Sequence, residues 1–148
     1  MEYELLIREA EPSDAAELVT FLNRVSVETD FTSLDRNGIL MTDTEMELFL
    51  DKQAHSENQI TLLALLNDEI AGLVNITADQ RKRVRHIGDL FIVIGKKYWN
   101  NGLGSLLIEE AIEWAQASGI LRRLQLTVQT RNQAAVHLYQ KYGFVIEG

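Results

Sequence analysis

The segment from residue 90 to residue 119 constrains the fold more than any other stretch of the chain. Five consecutive apolar residues, Leu90 to Ile94, predict a strand that is covered on both faces. A helix with apolar residues at three- and four-residue steps begins near Gly102 and ends at Gly119. A strand followed by a helix predicts a crossover, which is right-handed by default. The helix N-terminus then lies at the carboxyl end of the sheet, where ligands usually bind.

The rest of the chain supplies strands and helices around this unit. Thr42 and Glu45 form a capping-box pattern at the start of an early helix, and a hairpin turn is predicted at Asn67-Asp68-Glu69. Later strands are predicted in "RRLQLTVQT" and "FVIEG", with the short helix "NQAAVHLYQKYG" between them. The order β-α-α-β-β-β-α-β-α-β predicts one α/β (α+β) domain over residues 1–148, a mixed sheet with helices on both faces.

Composition excludes several classes of protein. The 148 residues include no Cys, which excludes disulfides, thiolate metal sites and a cysteine nucleophile, and the three His do not have a zinc spacing. A net charge of -8 argues against broad nucleic-acid binding and is compatible with a cationic substrate, although acidity also serves solubility alone. No window approaches the ~20 apolar residues of a membrane span, and the acidic start does not fit a signal peptide. We therefore expect a cytoplasmic protein that binds no metal, nucleic acid or membrane.

The loop "WNNGLGS" in front of the long helix has the chemistry of an anion site. Helix N-terminal amides favour phosphate, and Gly102 and Gly104 have no side chain to block its approach. Asn100 and Asn101 tolerate unusual backbone angles, and Ser105 adds a hydroxyl. The loop is neither a Walker A sequence nor a dinucleotide fingerprint. Gly-x-Gly before a helix is equally compatible with a simple bend of the chain.

A second motif follows one crossover later. Six residues keep the order N-x-x-A-x-x-L-Y-x-x-x-G-F: Asn132, Ala135, Leu138, Tyr139, Gly143 and Phe144. Together with "YWNNGLGSLL" and the early "IREAEPSDAAEL", this spacing resembles the GNAT superfamily of acyl-CoA-dependent N-acetyltransferases. The resemblance covers essentially the whole chain. It implies a mixed, mostly antiparallel sheet and acetyl-CoA as cosubstrate.

The resemblance also implies a coenzyme site at matching positions. The strand Leu90 to Ile94 would splay from its neighbour and pair with the pantetheine arm, mainly through Ile92 and Ile94. The amides of the loop would hold the pyrophosphate, with Trp99 in place of the more usual Gln or Arg, and Asn132 would contact the coenzyme arm. The expected coenzyme-binding residues are Ile92, Val93, Ile94, Trp99, Asn100, Asn101, Gly102, Leu103, Gly104, Ser105, Asn132 and Ala135.

Tyr139 matches the general acid of that family. An amine attacks the thioester, and a thiolate with a pKa near 8.5 must leave, so a phenol with a pKa of about 10 can hydrogen-bond or protonate it. A backbone N–H near Val93 or Ile94 would polarise the thioester carbonyl. The alternative is that Tyr139 is half-buried packing, like its neighbour Tyr142.

The general base is less clearly indicated. Many relatives place a Glu where this chain has Thr127, which cannot act as a base. Asp89, at the start of the central strand, and Glu28, in the early loop, are the candidate carboxylates. A water chain without a single base is the alternative.

Two further segments carry expectations of their own. The basic stretch "DQRKRVRH" predicts a solvated hairpin tip, with an acidic partner or the coenzyme's 3′-phosphate as alternatives. Family members usually continue past "GFVIEG" into another strand. We expect one of two explanations. Either the chain is shortened and that strand is missing, or a neighbouring chain supplies the strand in a homodimer.

These features predict an N-acetyltransferase that passes an acetyl group directly from acetyl-CoA to a primary amine in a ternary complex, since no Cys can carry it. Two alternatives are a non-catalytic acyl-CoA-binding module of the same fold and a nucleotide-phosphate binder that uses only the glycine loop. The acceptor stays open among protein N-termini, lysine side chains, polyamines, aminoglycosides and amino-acid-like amines. Its pocket would be built largely from residues 27–41 and the ends of the late strands.

Overall fold

The computed structural model describes residues 4–28, 41–99, 101–128 and 132–145. The helices and strands are β1 Leu5–Glu9, α1 Ala15–Ser26, α2 Asp43–Ala54, β2 Ile60–Leu66, β3 Glu69–Ala78, β4 Ile87–Ile94, α3 Leu103–Ser118, β5 Arg123–Gln125 and α4 Gln133–Lys141. Short 3₁₀ turns at Pro12–Asp14 and Lys96–Tyr98 precede α1 and α3. The predicted order is confirmed as far as α4. Of the expected last strand, Phe144 and Val145 are not in a strand, and residues 146–148 lie outside the described residues.

The described strands form one five-stranded sheet in the order β1-β2-β3-β4-β5. The first four strands are antiparallel to their neighbours, and β5 is parallel to β4. The sheet is therefore mixed and mostly antiparallel, as predicted. Between β2 and β3, Asn67 and Asp68 both have positive φ values of 51° and 68°. Two central residues with positive φ are what a type I′ hairpin turn requires, so the predicted hairpin is confirmed.

Helices cover both faces of the sheet. On one face, α1 and α2 pack against β2 and β3 through a first core cluster that includes Leu18, Leu50 and Leu63. On the other face, α3 packs through a second cluster that includes Val74 and Leu107. All of these side chains are at most 2% exposed. Because α3 connects β4 to its parallel neighbour β5, it brings its N-terminus to the carboxyl end of β4.

The helix ends follow the local chemistry of the sequence. The Thr42 hydroxyl accepts a hydrogen bond from the Glu45 amide at 3.1 Å, and the Glu45 carboxylate accepts one from the Thr42 amide at 3.0 Å. This reciprocal pair is the predicted capping box at the start of α2. Gly119, with a φ of 71°, ends α3 as predicted.

Candidate active site

A cleft opens where β4 and β5 separate. Among the described residues, the two strands pair only over Ile87–Arg123, Gly88–Leu124 and Asp89–Gln125. β4 continues beyond this point to Ile94, where it still pairs with β3. The cleft has a volume of about 1760 Å³ and is lined by the open part of β4, the residues after β5, the start of α3, and α4.

The backbone of β4 alternates between β3 and the cleft. The Gly95 amide donates to the Ala71 carbonyl at 2.9 Å, so Gly95 faces β3. The Val93 carbonyl also faces β3, since a Cβ placed on Gly72 would lie 2.9 Å from it. Alternate residues of an antiparallel strand direct both of their backbone polar groups to the same side. The N–H and C=O groups of Ile92 and Ile94 therefore face the cleft, which favours these two residues over Val93 as backbone partners of a ligand.

The loop after β4 is fastened to the end of that strand by Trp99. Its indole Nε1 donates to the Ile94 carbonyl at 2.9 Å, while the side chain remains 39% exposed. One of the cleft-facing carbonyls thus has a partner within the chain. Asn101 Nδ2 donates to the Tyr98 carbonyl at 3.3 Å, and Asn100 lies outside the described residues.

The two loop glycines serve different purposes. Gly102 is the N-cap of α3 with a φ of 79°, a left-handed conformation that favours glycine, and a Cβ there would meet nothing within 4 Å. Gly104 lies in the first turn of α3, where a Cβ would be 3.1 Å from Leu138 Cδ2 and 3.2 Å from Ile94 Cδ1. Gly102 therefore permits the turn into the helix, and Gly104 permits α3 to approach both α4 and β4 closely. The first amides of α3 have no acceptor within the helix, which is the condition for binding an anion.

Tyr139 lies on α4 and lines the cleft. Asn132 caps this helix, because its Oδ1 accepts from the Ala135 amide at 3.3 Å. The Tyr139 ring packs edge-to-face on Phe144, with the ring centroids 5.8 Å apart. Burial raises the pKa of Tyr139 to about 12, so its hydroxyl stays protonated near neutral pH. The ring thus contributes to packing while the residue borders the cleft.

The two candidate carboxylates lie in different places. Asp89 lines the cleft at the last position where β4 pairs with β5, and its Oδ1 accepts from Gln125 Nε2 at 2.7 Å. Glu28 lines a separate crevice between α1 and the 3₁₀ turn, and its Oε1 accepts from the Lys96 amide at 3.0 Å. The structure therefore brings Asp89, but not Glu28, to the cleft that Tyr139 lines. Thr127 also lines this cleft.

The basic segment is a turn between β3 and β4, at the opposite end of β4 from the glycine loop. Arg81 pairs with Asp79 at 2.9 Å, and Arg85 pairs with Glu57 at 3.2 Å. The buried Asn58 holds the turn, because its Nδ2 donates to the Asp79 and Arg85 carbonyls. The eight residues of β4 separate the turn from the loop by about 26 Å, which argues against contact with a coenzyme phosphate held at the loop.

The described residues contain no group of three or more His, Cys, Asp or Glu side chains that could hold a metal ion. Within the same residues, no helix has both the length and the apolar character needed to cross a membrane.

Comparison with known proteins decides the family. Residues 25–144 match the model of the acetyltransferase (GNAT) family. The chain belongs to this family. The match covers the end of α1, all of β4 and α3, and the segment with Tyr139, so it includes the two late motifs that carry the resemblance in sequence but not the early "IREAEPSDAAEL".

Individual members of the GNAT family show the same relationship. The chain is 36% identical over 87 residues, 59% of its length, to the L-amino acid N-acetyltransferase AaaT of Escherichia coli, and this match covers 54% of that protein. The chain therefore spans about half the length of this relative. The chain is also similar to a GNAT-family acetyltransferase from Streptococcus pneumoniae whose crystal structure is known, with 87% sequence identity and a TM-score of 0.96. This match covers 98% of this chain and 87% of the other. The yncA structure of Salmonella typhimurium, solved with acetyl-CoA, shares the fold with a TM-score of 0.83 at 17% identity, over 98% and 82% of the two chains.

The sequence pattern of this GNAT chain did not predict the hydrogen bond that Tyr142 makes in the structure. Tyr142 was expected to be packing only, yet its hydroxyl donates to Glu109 Oε1 at 2.6 Å. The bond to the Glu109 carboxylate is the main reason that the pKa of Tyr142 is raised. Glu109 lies on α3, 33 residues before Tyr142 in the chain, so no local sequence pattern indicated this pair.

Proposed function

We propose that this protein transfers an acetyl group from acetyl-CoA directly to a primary amine. The observation that carries the proposal is the separation of β4 from β5, which leaves backbone groups of Ile92 and Ile94 facing a cleft that Tyr139 also lines. A cosubstrate with an extended amide-containing arm can pair with such a strand as an added strand does. The absence of Cys supports direct transfer within a ternary complex over a thioester on the enzyme.

The coenzyme would lie along the open half of β4 with its phosphates at α3. The pantetheine amides pair with the cleft-facing N–H and C=O of Ile92 and with the N–H of Ile94, whose carbonyl already accepts from Trp99. The backbone amides from Asn101 to Ser105 hold the pyrophosphate, because the start of α3 supplies free N–H groups and partial positive charge, whereas the Trp99 amide already donates to the Lys96 carbonyl at 3.2 Å. Asn132 uses its Oδ1 to cap α4, so its Nδ2 is the atom that we assign to the coenzyme arm, next to Ala135.

Tyr139 would act on the departing sulfur mainly as a hydrogen-bond donor. Its pKa of about 12 lies about 3.5 units above that of a free thiol, so complete proton transfer to the thiolate would be uphill by roughly 5 kcal/mol. A hydrogen bond from the neutral phenol has no such cost and stabilises the charge that develops on sulfur. The thiolate can then leave without first taking the phenolic proton.

We assign to Asp89 the role of general base, whose carboxylate accepts the proton of the amine. It lies in the same cleft as Tyr139, whereas Glu28 binds a backbone amide outside it. A water chain that starts from the acceptor amine and needs no single base is the alternative. In either case, the amine loses a proton as the new amide forms and the thioester C–S bond breaks.

The first experiment is a thiol-release assay with acetyl-CoA and a panel of amines. We expect Tyr139→Phe to lower kcat by about 100-fold with little change in the Kd of acetyl-CoA, because a positioned acid typically contributes a factor of 10² or more. His137, exposed on the same helix, provides the control variant His137→Ala, which should keep the wild-type rate. Unchanged turnover in Tyr139→Phe would remove this residue from the mechanism.

A non-catalytic acyl-CoA-binding module is the second candidate, and Thr127 is the observation that favours it. This threonine borders the cleft at the position where many relatives place a Glu. Such a module would bind acetyl-CoA and desulfo-CoA in calorimetry but release no thiol with any amine. If acetyl-CoA failed to bind, neither the acetyltransferase nor the acyl-CoA-binding module would be the function. Binding of ATP alone would indicate a nucleotide-phosphate site.

The acceptor that we propose is a small primary amine. The similarity to an L-amino acid N-acetyltransferase and the net charge of -8 make amino acids and cationic amines the first compounds to assay. We also propose a cytoplasmic homodimer. Within the described residues β5 pairs with β4 alone, so one of its edges is available to a second copy. Sedimentation at several protein concentrations tests the dimer.

A further inference from the structure

The helix that carries Tyr139 contributes no fully buried side chain to the core. α4 has nine residues, and none of them is fully buried. An isolated helix of this length is marginal in water, so its position depends on contacts with the rest of the protein. Where those contacts lie therefore decides where Tyr139 is held.

Two contacts join α4 to α3. The first is apolar and close, because Leu138 packs onto the bare backbone of Gly104. The second is polar: the Tyr142 hydroxyl donates to Glu109 Oε1 at 2.6 Å. A short hydrogen bond to a carboxylate is stronger than one between neutral groups. The polar contact is therefore the directional one, and it fixes the distance between the C-terminus of α4 and α3.

The backbone at the same end of α4 is hydrogen-bonded to Tyr139. The amides of Tyr142 and Phe144 both donate to the Tyr139 carbonyl at 3.1 Å. Gly143, with a φ of 93°, lets the chain reverse so that the Phe144 ring packs on Tyr139. A shift of Tyr142 relative to α3 is thus transmitted to Tyr139 through backbone hydrogen bonds rather than through flexible side chains.

We propose that Tyr142 is a positioning residue, which acts through Glu109 on α3 to hold Tyr139 in place at the cleft. The inference rests on the proposed acetyl transfer, because Tyr139 must act on the leaving sulfur for its position to matter. It also connects Tyr139 to α3, the helix whose first turn is proposed to bind the coenzyme phosphates. Displacements of about 1 Å in a catalytic group are enough to cost a large part of its effect.

The test is a comparison of kcat and coenzyme binding in Tyr142→Phe, which removes only the hydroxyl. We expect kcat to fall about tenfold, while the Kd of acetyl-CoA changes less than about threefold, since misplacement affects reaction geometry more than binding. Glu109→Ala should give the same kcat. Glu109→Gln, which retains an acceptor oxygen, should recover most of the loss. Glu110→Ala, on the neighbouring exposed residue of α3, is the matched control and should behave as wild type.

Two outcomes would overturn the inference. One is a wild-type kcat in Tyr142→Phe. The other is a loss of kcat in Tyr142→Phe that adds fully to the loss in Tyr139→Phe, because a residue that acts through Tyr139 has no further effect once the Tyr139 hydroxyl is gone. Failure of the proposed function looks different, since the wild-type protein would then release no thiol with any amine. Thermal melting of each variant identifies a loss of activity that comes only from unfolding.

Discussion

The two halves of β4 have different surroundings. From Ile87 to Asp89 the strand pairs with β5 on one side, and Gly88 and Asp89 pair with β3 on the other. From Leu90 to Ile94 it pairs with β3 alone within the described residues, and its other side faces the cleft. The closed half satisfies its backbone within the sheet. The open half leaves polar groups that a ligand must satisfy, and these groups are the basis of the proposed coenzyme site.

The comparison teaches that the cleft results from topology rather than from unusual residues. Leu90 to Ile94 is as apolar as any core strand. Its backbone becomes available because β5 ends its pairing at Gln125 while β4 continues for five residues. Changes in the open half should therefore affect ligand binding and catalysis. Changes in the closed half should affect stability alone, except at Asp89, which borders the cleft and is the proposed base.

The largest expected effect is on the pH dependence of stability, through Tyr139 beside the open half. Its pKa is about 12 in the folded protein and near 10 when unfolded. Below pH 10 both states are protonated and the free energy of unfolding is unaffected. Above pH 10 the unfolded state ionises first, so the wild type should lose roughly 2–3 kcal/mol relative to Tyr139→Phe as the pH passes 12.

This prediction is measured by denaturant unfolding of both proteins between pH 9 and pH 12. The tyrosinate absorbance of the folded proteins provides a second readout. The difference between wild type and Tyr139→Phe should show a single ionisation close to pH 12. An ionisation of Tyr139 near pH 10 would show that the residue is not buried.

A pair of glycine substitutions compares the halves directly. In Gly72→Ala the new Cβ would lie 2.9 Å from the Val93 carbonyl oxygen, which belongs to the backbone of the open half. In Gly88→Ala it would lie 2.9 Å from Ile76 Cγ2, a branched methyl of a fully buried side chain, and 3.0 Å from Leu124 Cδ2. We expect each substitution to cost about 1–3 kcal/mol, so that binding rather than stability separates the two variants.

Binding of acetyl-CoA provides the functional comparison of the two glycine variants. Gly72→Ala displaces the strand that would hold the coenzyme arm, so the Kd of acetyl-CoA should rise in calorimetry. Gly88→Ala, in the closed half, should leave that Kd unchanged. A rise in the Kd of acetyl-CoA in Gly88→Ala as large as the rise in Gly72→Ala would contradict the distinction between the two halves.

The smallest effect is expected at Glu28, which fastens the turn after the open half. Glu28→Ala removes the acceptor of the Lys96 amide, a bond of about 0.5–1.5 kcal/mol, so KM for acetyl-CoA should rise roughly three- to tenfold. Glu28→Gln keeps an oxygen at that position and should retain both KM and kcat within about twofold, because an uncharged amide can still accept the hydrogen bond. A large loss of kcat in Glu28→Gln would instead identify Glu28 as the general base.

Much of the fold could be predicted from sequence because its signals are local. The capping box of Thr42 with Glu45, the turn at Asn67 and Asp68, and the end of α3 at Gly119 each depend on neighbours within a few residues. The strand predicted in "RRLQLTVQT" was less accurate, since among the described residues of this segment, 122–128, only Arg123–Gln125 forms a strand. The alternating pattern continues beyond Gln125, but β4 is no longer beside it to accept pairing.

The sequence by itself determined the family, the order of elements as far as α4, and the positions of the glycine loop and of Tyr139, because periodicity, caps and motif spacing are written in consecutive residues. Only the tertiary structure decided that Ile92 and Ile94 rather than Val93 face the cleft, and that Asp89 rather than Glu28 lies beside it. It also gave Gly104 a packing role and Tyr142 a partner on α3. Each of these joins residues that are far apart in the chain, so it depends on how strands and helices pack and not on local sequence.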